Sequence, residues 1–222
     1  MTTRALAANE THTAPPGAAL ASVGRLHIPG QRYNNGYARH YDESCSATLI
    51  TDRELAKSSN LIISAWHCIE LYRDLSKPLT FETADGAIRS ASLLHSGGGM
   101  HSDWALLRLN SPLPSPAFLG TENHQGAKNL LMAGYPRSLS SSPRVLAIAT
   151  DCQIIGDDGP DRRSDCVLQK GASGGAVFSV AHPGPQYLGV ISRGDGESQS
   201  IYVPLRRFRD AIRAFLENAS LP

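Results

Sequence analysis

Three separated segments hold side chains whose types suit nucleophilic attack on a carbonyl: Ser64-Ala65-Trp66-His67-Cys68, Ser102-Asp103-Trp104-Ala105-Leu106-Leu107 and Gly171-Ala172-Ser173-Gly174-Gly175. A serine hydroxyl is a poor nucleophile near neutral pH, so it needs a base within hydrogen-bond reach and a third group to orient that base. Ser173, His67 and Asp103 are of the types that fill these roles. An imidazole, with a reference pKa of about 6.5, can accept the hydroxyl proton and return it to a leaving group. A carboxylate can hold the ring tautomer and stabilise the imidazolium. Gly171 and Gly174 allow a tight turn around Ser173, in which amide N–H groups converge on a developing oxyanion.

Each fragment alone has an ordinary reading. Gly-Ala-Ser-Gly-Gly is a common turn between strands, and an aspartate before an apolar run is a common turn residue. The ordered set His, Asp, Ser carries the inference. The spacing Gly171-x-Ser173-x-Gly175 also fits the nucleophile elbow of α/β-hydrolases. That fold needs a histidine after the serine and alternating strands and helices, whereas only His182 follows, nine residues on.

On these motifs, including Asp103-Trp104-Ala105-Leu106, residues 22–217 resemble trypsin/chymotrypsin-like serine peptidases, nearer the bacterial glutamyl-endopeptidase-like branch than the digestive enzymes. The resemblance implies an all-β fold of two six-stranded antiparallel β-barrels with a C-terminal α-helix, the reacting groups lying between the barrels. It gives the Gly171 and Ser173 amides the oxyanion-hole role. It makes Ser192 a support for Asp103, and the strand through Ser192 and Gly194 the binding edge for an extended substrate. Val167 takes the base of the primary pocket, with Leu168, Ile191 and Ser200 approaching it. No aspartate stands at the base, so Lys or Arg side chains lack a counter-charge. Ile191 stands where glutamate-specific relatives carry histidine, which leaves a small or apolar residue as the expected preference. Digestive relatives pair an aspartate before the nucleophile with a newly cut N-terminus; Ala172 cannot do so.

Four cysteines permit three pairings. The resemblance selects Cys45 with Cys68, which follows His67 directly, leaving Cys152 with Cys166. Zinc is the other use of such residues, but CxxC spacing is absent. Disulfides imply an oxidising compartment, hence a secreted or periplasmic protein. No apolar signal core follows Met1-Thr2-Thr3-Arg4, so residues 1–21 read either as a flexible leader or as the remnant of a targeting segment.

From Ser44 onward, short β-type runs alternate with Gly, Pro, Asn, Asp and Ser clusters, as in a barrel or sandwich. The clearest runs are Thr48–Ile50, Leu61–Ile63, Trp104–Leu109, Leu130–Ala133, Val145–Ile155, Gly175–Val180 and Tyr187–Ser192. With the resemblance, barrel one is expected over 22–110 and barrel two over 129–204, joined by a linker over 111–128. Prolines at 112, 114 and 116 mark that crossing, because proline cannot donate to a central ladder. Leu205, Phe208, Ile212, Ala214 and Phe215 recur at helical spacing, so a helix over 205–217 packs on the barrel with its arginines solvated.

Lysine plus arginine number 21 and aspartate plus glutamate 20 in 222 residues, so no strong field favours nucleic acid or an anionic membrane. No apolar run approaches the roughly 18 residues of a membrane span. Asp157-Asp158-Gly159-Pro160-Asp161 lacks the spacing of a calcium loop. The expected protein is a monomeric serine endopeptidase acting on polypeptide through an acyl-enzyme, with no metal or cofactor and no nucleic-acid or membrane partner. The other reading is a fold relative that binds polypeptide with weak or lost cleavage.

Overall fold

The computed structural model describes residues 17–72, 77–120, 129–137, 145–179 and 185–218. Most of the expected leader, residues 121–128 of the expected linker and His182 lie outside them. A one-turn helix, α1 (Ala18–Ala21), leads into β1 (Val23–Asn34), β2 (Tyr37–Thr51) and β3 (Ser58–Ser64). After the short helix α2 (Trp66–Ile69) come β4 (Leu79–Glu82), β5 (Ile88–Ser96), β6 (Ala105–Pro114) and β7 (Ala117–Phe118). The second half runs β8 (Leu130–Gly134), β9 (Ala147–Cys152), β10 (Ile154–Asp158), β11 (Asp161–Ser164), β12 (Ala176–Ser179), β13 (Gln186–Gly194) and β14 (Ser200–Pro204). A 3-10 turn at Leu205–Arg207 precedes the terminal helix α3 (Arg209–Asn218).

The first sheet has the order β1-β4-β5-β6-β3-β2-β7, and β1 also pairs with β2, which closes a six-stranded barrel with β7 appended. The second has the order β10-β11-β14-β13-β12-β8-β9. Among the described residues no ladder joins its ends; β9 and β10 are consecutive in the chain, linked through Gln153. The fold is thus all-β and chymotrypsin-like, with one closed barrel, one half-barrel and a C-terminal helix.

The period-2 geometry of strands explains the continuous apolar runs. Ile62 and Leu107 enter the interior of the first barrel. Their neighbours Leu61, Ile63 and Leu106 turn to a core between the sheets, where they meet Phe178, Tyr187, Val190 and Val203. Val177 and Leu188 fill the interior of the second sheet with Met132 and Tyr202. Both faces of the central strands are covered, so both faces are apolar.

The prolines do not interrupt β6. That strand pairs with β5 only as far as Leu109 but with β3 as far as Pro114. Beyond Leu109 it is an edge, where a missing N–H is tolerated. Likewise β4 covers only Arg25–His27 of β1, so the β1–β2 ladder continues past Pro29 as a two-stranded ribbon. Asn35 and Gly36, with φ of 50° and 82°, form the turn at its tip.

The C-terminal stripe also differs from expectation. Leu205, Phe208, Ile212 and Leu216 are buried while Ala214 faces solvent. The arginines are not all solvated: Arg207 bonds Asp161 at 2.5 Å and the His101 carbonyl at 2.7 Å, and Arg209 donates to the Gly120 carbonyl.

Candidate active site

His67 lies in the single turn of α2, directly after β3, and Asp103 lies directly before β6, the strand paired with β3. Register therefore brings them together: Ser64 is opposite Ala105. His67 Nδ1 lies 2.8 Å from Asp103 Oδ2, and the His67 amide donates to Oδ1, also at 2.8 Å. Asp103 has no solvent exposure, whereas the His67 side chain keeps 29%. Burial by itself pushes the Asp103 carboxyl up. The hydrogen bond and charge of the His67 ring, the Ser192 hydroxyl and the His67 amide outweigh it and hold the group below its ordinary value.

Ser192 Oγ donates to Asp103 Oδ2 at 2.5 Å. A bulge aims it there. Ile191 pairs with Tyr202 and Arg193 with Ile201, so Ser192 is the extra residue between them and its side chain turns toward the other sheet. The segment holding Asp103 is anchored from behind by Trp104, whose ring stacks on Phe208 at 5.5 Å and whose Nε1 donates to Ser102 Oγ at 2.9 Å.

Ser173 sits in the turn between β11 and β12. Its Oγ donates to the Ser192 carbonyl at 3.1 Å, and no hydrogen bond joins it to His67 among the described residues. Gly171 and Gly174 have φ of 99° and 84°, which side-chain-bearing residues rarely adopt. A Cβ at Gly171 would strike the Arg137 amide, and one at Gly174 the Ser46 carbonyl. Within this turn Ala172 N–H donates to Gln169, Gly174 N–H to Ile191 and Gly175 N–H to Ala172. The Gly171 and Ser173 amides have no such acceptor among the described residues.

The pocket residues separate. Leu168 and Ile191 pack with Tyr202 in the apolar interior of the second sheet. Val167 is half-buried, and Ser200 is buried opposite Ser164 and Gly194 in neighbouring ladders. Gly194 leaves no room for a side chain, since its Cβ would meet the Gln199 carbonyl. Toward β12 the ladder of β13 ends at Val190, leaving Ser192–Gly194 without a strand partner on that side among the described residues.

Cys45 is bonded to Cys68 and Cys152 to Cys166. The first pair lies beside His67, with Cys68 Sγ 3.8 Å from Nε2. Cys45, His67 and Cys68 thus form the one group of metal-ligating types among the described residues, but both sulfurs are committed to their mutual bond.

Four residues of this region receive no role at the site from the sequence: Ser46, Tyr135, Asp161 and Arg193. The Arg193 guanidinium reaches Asp158, Asp161 at 3.5 Å and Ser192 Oγ at 3.4 Å. The buried Asp161 also binds Arg207, so an ion-pair chain runs behind Ser192. Only the position of Arg193 in the expected binding strand pointed toward it.

No helix among the described residues is long and apolar enough to cross a membrane. Several solved structures share the fold. A variant of the HtrA-type protease AlgW with a decapeptide superposes with a TM-score of 0.69 at 14% identity, over 92% of this chain and 66% of that one. AlgW with a decapeptide gives 0.64 at 14% identity, over 91% and 66% of the two chains. The same variant with a tripeptide gives 0.66 at 14% identity, over 90% and 62%. This chain therefore spans somewhat less than two-thirds of the length of those proteins. No curated protein matches it. A family model described as a trypsin-like peptidase domain matches residues 45–182, more than half of the sequence and all three of the segments first singled out. On that match, the chain belongs to the family of trypsin-like peptidase domains.

Proposed function

We propose that the protein is a serine endopeptidase that cleaves polypeptide through an acyl-enzyme. Ser173 Oγ attacks the scissile carbonyl carbon and passes its proton to His67 Nε2. His67 then protonates the leaving amine as the C–N bond breaks. Water, deprotonated by His67, releases the acid and restores Ser173. Asp103 holds the ring with its Nδ1 proton toward the carboxylate. The Gly171 and Ser173 amides receive the oxyanion. The observation that carries the reading is the His67–Asp103 contact at 2.8 Å, sealed from solvent on the aspartate side and braced by Ser192.

The substrate chain adds along Ser192–Gly194 as an extra strand. Val167, Leu168, Ile191 and Ser200 favour a small or apolar side chain at the cleavage site. Within the family we place the chain nearest the bacterial glutamyl-endopeptidase-like branch, with Ile191 removing the acidic preference. The two disulfides support a secreted or periplasmic location. The enzyme acts as a monomer, without metal, cofactor or nucleic acid.

One observation favours the second reading, a fold relative that binds polypeptide with weak or lost cleavage: the Ser173 hydroxyl donates to the Ser192 carbonyl and makes no hydrogen bond to His67 among the described residues. In the enzyme reading, rotation about one side-chain torsion engages the base. A fluorophosphonate probe and a diverse peptide library separate the two. The enzyme reading expects labelling at Ser173, hydrolysis, and loss of both in Ser173→Ala. Wild-type protein that binds peptides but is neither labelled nor active supports the alternative.

A further inference from the structure

Ser46, next to Cys45 in β2, spends every polar atom it has, although it belongs to the first barrel and the Ser173 turn to the second. Its amide donates to the Ser173 carbonyl at 2.8 Å, and its Oγ donates to the Gly171 carbonyl at 2.9 Å. The Tyr135 amide donates to the same Oγ at 2.7 Å, and the Ser46 carbonyl accepts from Ser64 Oγ at 2.8 Å. Ser46 is wholly buried, so no water substitutes for these partners.

A trans peptide is rigid, with its N–H and C=O pointing in opposite directions, so fixing one end aims the other. The Lys170 carbonyl accepts from the Arg137 amide at 2.6 Å, which turns the Gly171 N–H the opposite way. The Ala172 carbonyl accepts from Gly175 at 2.9 Å, which aims the Ser173 N–H. The two remaining carbonyls of the turn, those of Gly171 and Ser173, are both held by Ser46. Gly171 is the weak point, because glycine at φ 99° has the freedom to turn its peptide plane over. Ala172 brings no charge with which to lock it.

Resting on the serine-peptidase reading above, we infer that the Ser46 hydroxyl is a positioning residue for the oxyanion hole: it clamps the Gly171 carbonyl and ties the turn to Tyr135. It touches no reacting atom and acts indirectly: it fixes the Gly171–Ala172 peptide on one side of the Gly171 Cα, which limits rotation of the Lys170–Gly171 peptide that carries the Gly171 N–H on the other. Its loss therefore weakens binding of the transition state more than binding of the substrate.

The test compares wild type, Ser46→Ala, Ser46→Thr and Ser22→Ala, each assayed well below its own melting temperature. Ser22 is a control for the loss of a buried hydroxyl; among the described residues its Oγ bonds only the Ala19 carbonyl. Removing a direct oxyanion donor costs about a hundred- to thousandfold in kcat, and an indirect clamp less, so Ser46→Ala is expected to lose about ten- to hundredfold in kcat with KM nearly unchanged. Affinity for a peptide boronic acid, which forms a tetrahedral adduct on serine, falls by the same factor. Affinity for a product peptide does not. Ser46→Thr, which keeps the hydroxyl, recovers most of both, and this arm is read even if the alanine variant does not fold. Wild-type kcat and boronate affinity in Ser46→Ala, or a threonine variant impaired in kcat and boronate affinity while folded and binding product normally, overturns the inference. An unlabelled, inactive wild type overturns the peptidase reading itself, and this inference with it.

Discussion

Asp103 concentrates the electrostatics of the site in one fully buried carboxylate with three donors: the His67 ring, the His67 amide and the Ser192 hydroxyl. Asp103→Asn keeps the shape but presents an amide N–H where the ring needs an acceptor, favouring the wrong tautomer. The expected result is a kcat lower by about ten-thousandfold with the fold retained, checked by steady-state kinetics beside circular dichroism. The lowered carboxyl also sets a pH dependence of stability. A group depressed on folding contributes fully above its unfolded value, about 3.9, and loses that contribution as pH falls through the folded value. Acid should therefore destabilise wild type below about pH 4 through this group. Melting temperatures of wild type and Asp103→Asn, compared from pH 7 to pH 2, should converge as the carboxyl protonates. A constant gap would mean that the aspartate does not titrate on this route.

Among the elements, the C-terminal segment does more than cover a barrel. Phe208 is fully buried and stacks on Trp104, beside Asp103, while Arg207 binds the His101 carbonyl on the approach to the same segment. Phe208→Ala is expected to cost about 3–5 kcal/mol of stability, seen as a lower urea midpoint, because it opens a cavity among well-packed rings. It should also lower kcat in the protein that remains folded, since Trp104 is then free to shift the carboxylate. Unchanged kcat per folded molecule would show that β6 and the His67 contacts hold Asp103 unaided. The bulge in β13 is the second device at this scale: in a regular ladder Ser192 would pair with the next strand, follow the pleat and lose Asp103.

At the scale of the molecule, the site is a seam. His67, Asp103 and Ser46 come from the first barrel, Ser173 and Ser192 from the second, and the apolar layer of Leu61, Ile63, Leu106, Phe178, Tyr187 and Val190 holds the two in register. Each disulfide braces one side. Cys45–Cys68 joins the strand carrying Ser46 to the turn carrying His67, and Cys152–Cys166 joins β9 to the segment after β11, directly before Val167. Loops of 23 and 14 residues are each worth roughly 3 kcal/mol in the chain-entropy model. Dithiothreitol should therefore lower the melting temperature by several degrees and reduce hydrolysis, in parallel with the thiols exposed. Full activity with both bonds reduced would remove them from the account of the site.

The sequence by itself determined the three candidate segments, the all-β character and the terminal apolar stripe, because these depend on residue type and local periodicity. It also carried the cysteine pairs, through resemblance. It left β1, β4, β5, β7, β11 and β14 unread: their signals are short or broken by Gly, Pro and charged residues that the fold accommodates at edges, in a two-stranded ribbon and in ion pairs. Proline at 112 and 114 read as a break because the rule against proline applies where a strand has neighbours on both sides, and only pairing reveals that β6 lacks one beyond Leu109. Tertiary structure alone decided which residues surround the reactive groups. Ser46 and Tyr135 lie 89 residues apart, as do Asp103 and Ser192, and each pair meets through a single hydrogen bond across the seam. A hydroxyl has no periodicity and no preferred spacing to such a partner, so its role exists only once both barrels are folded.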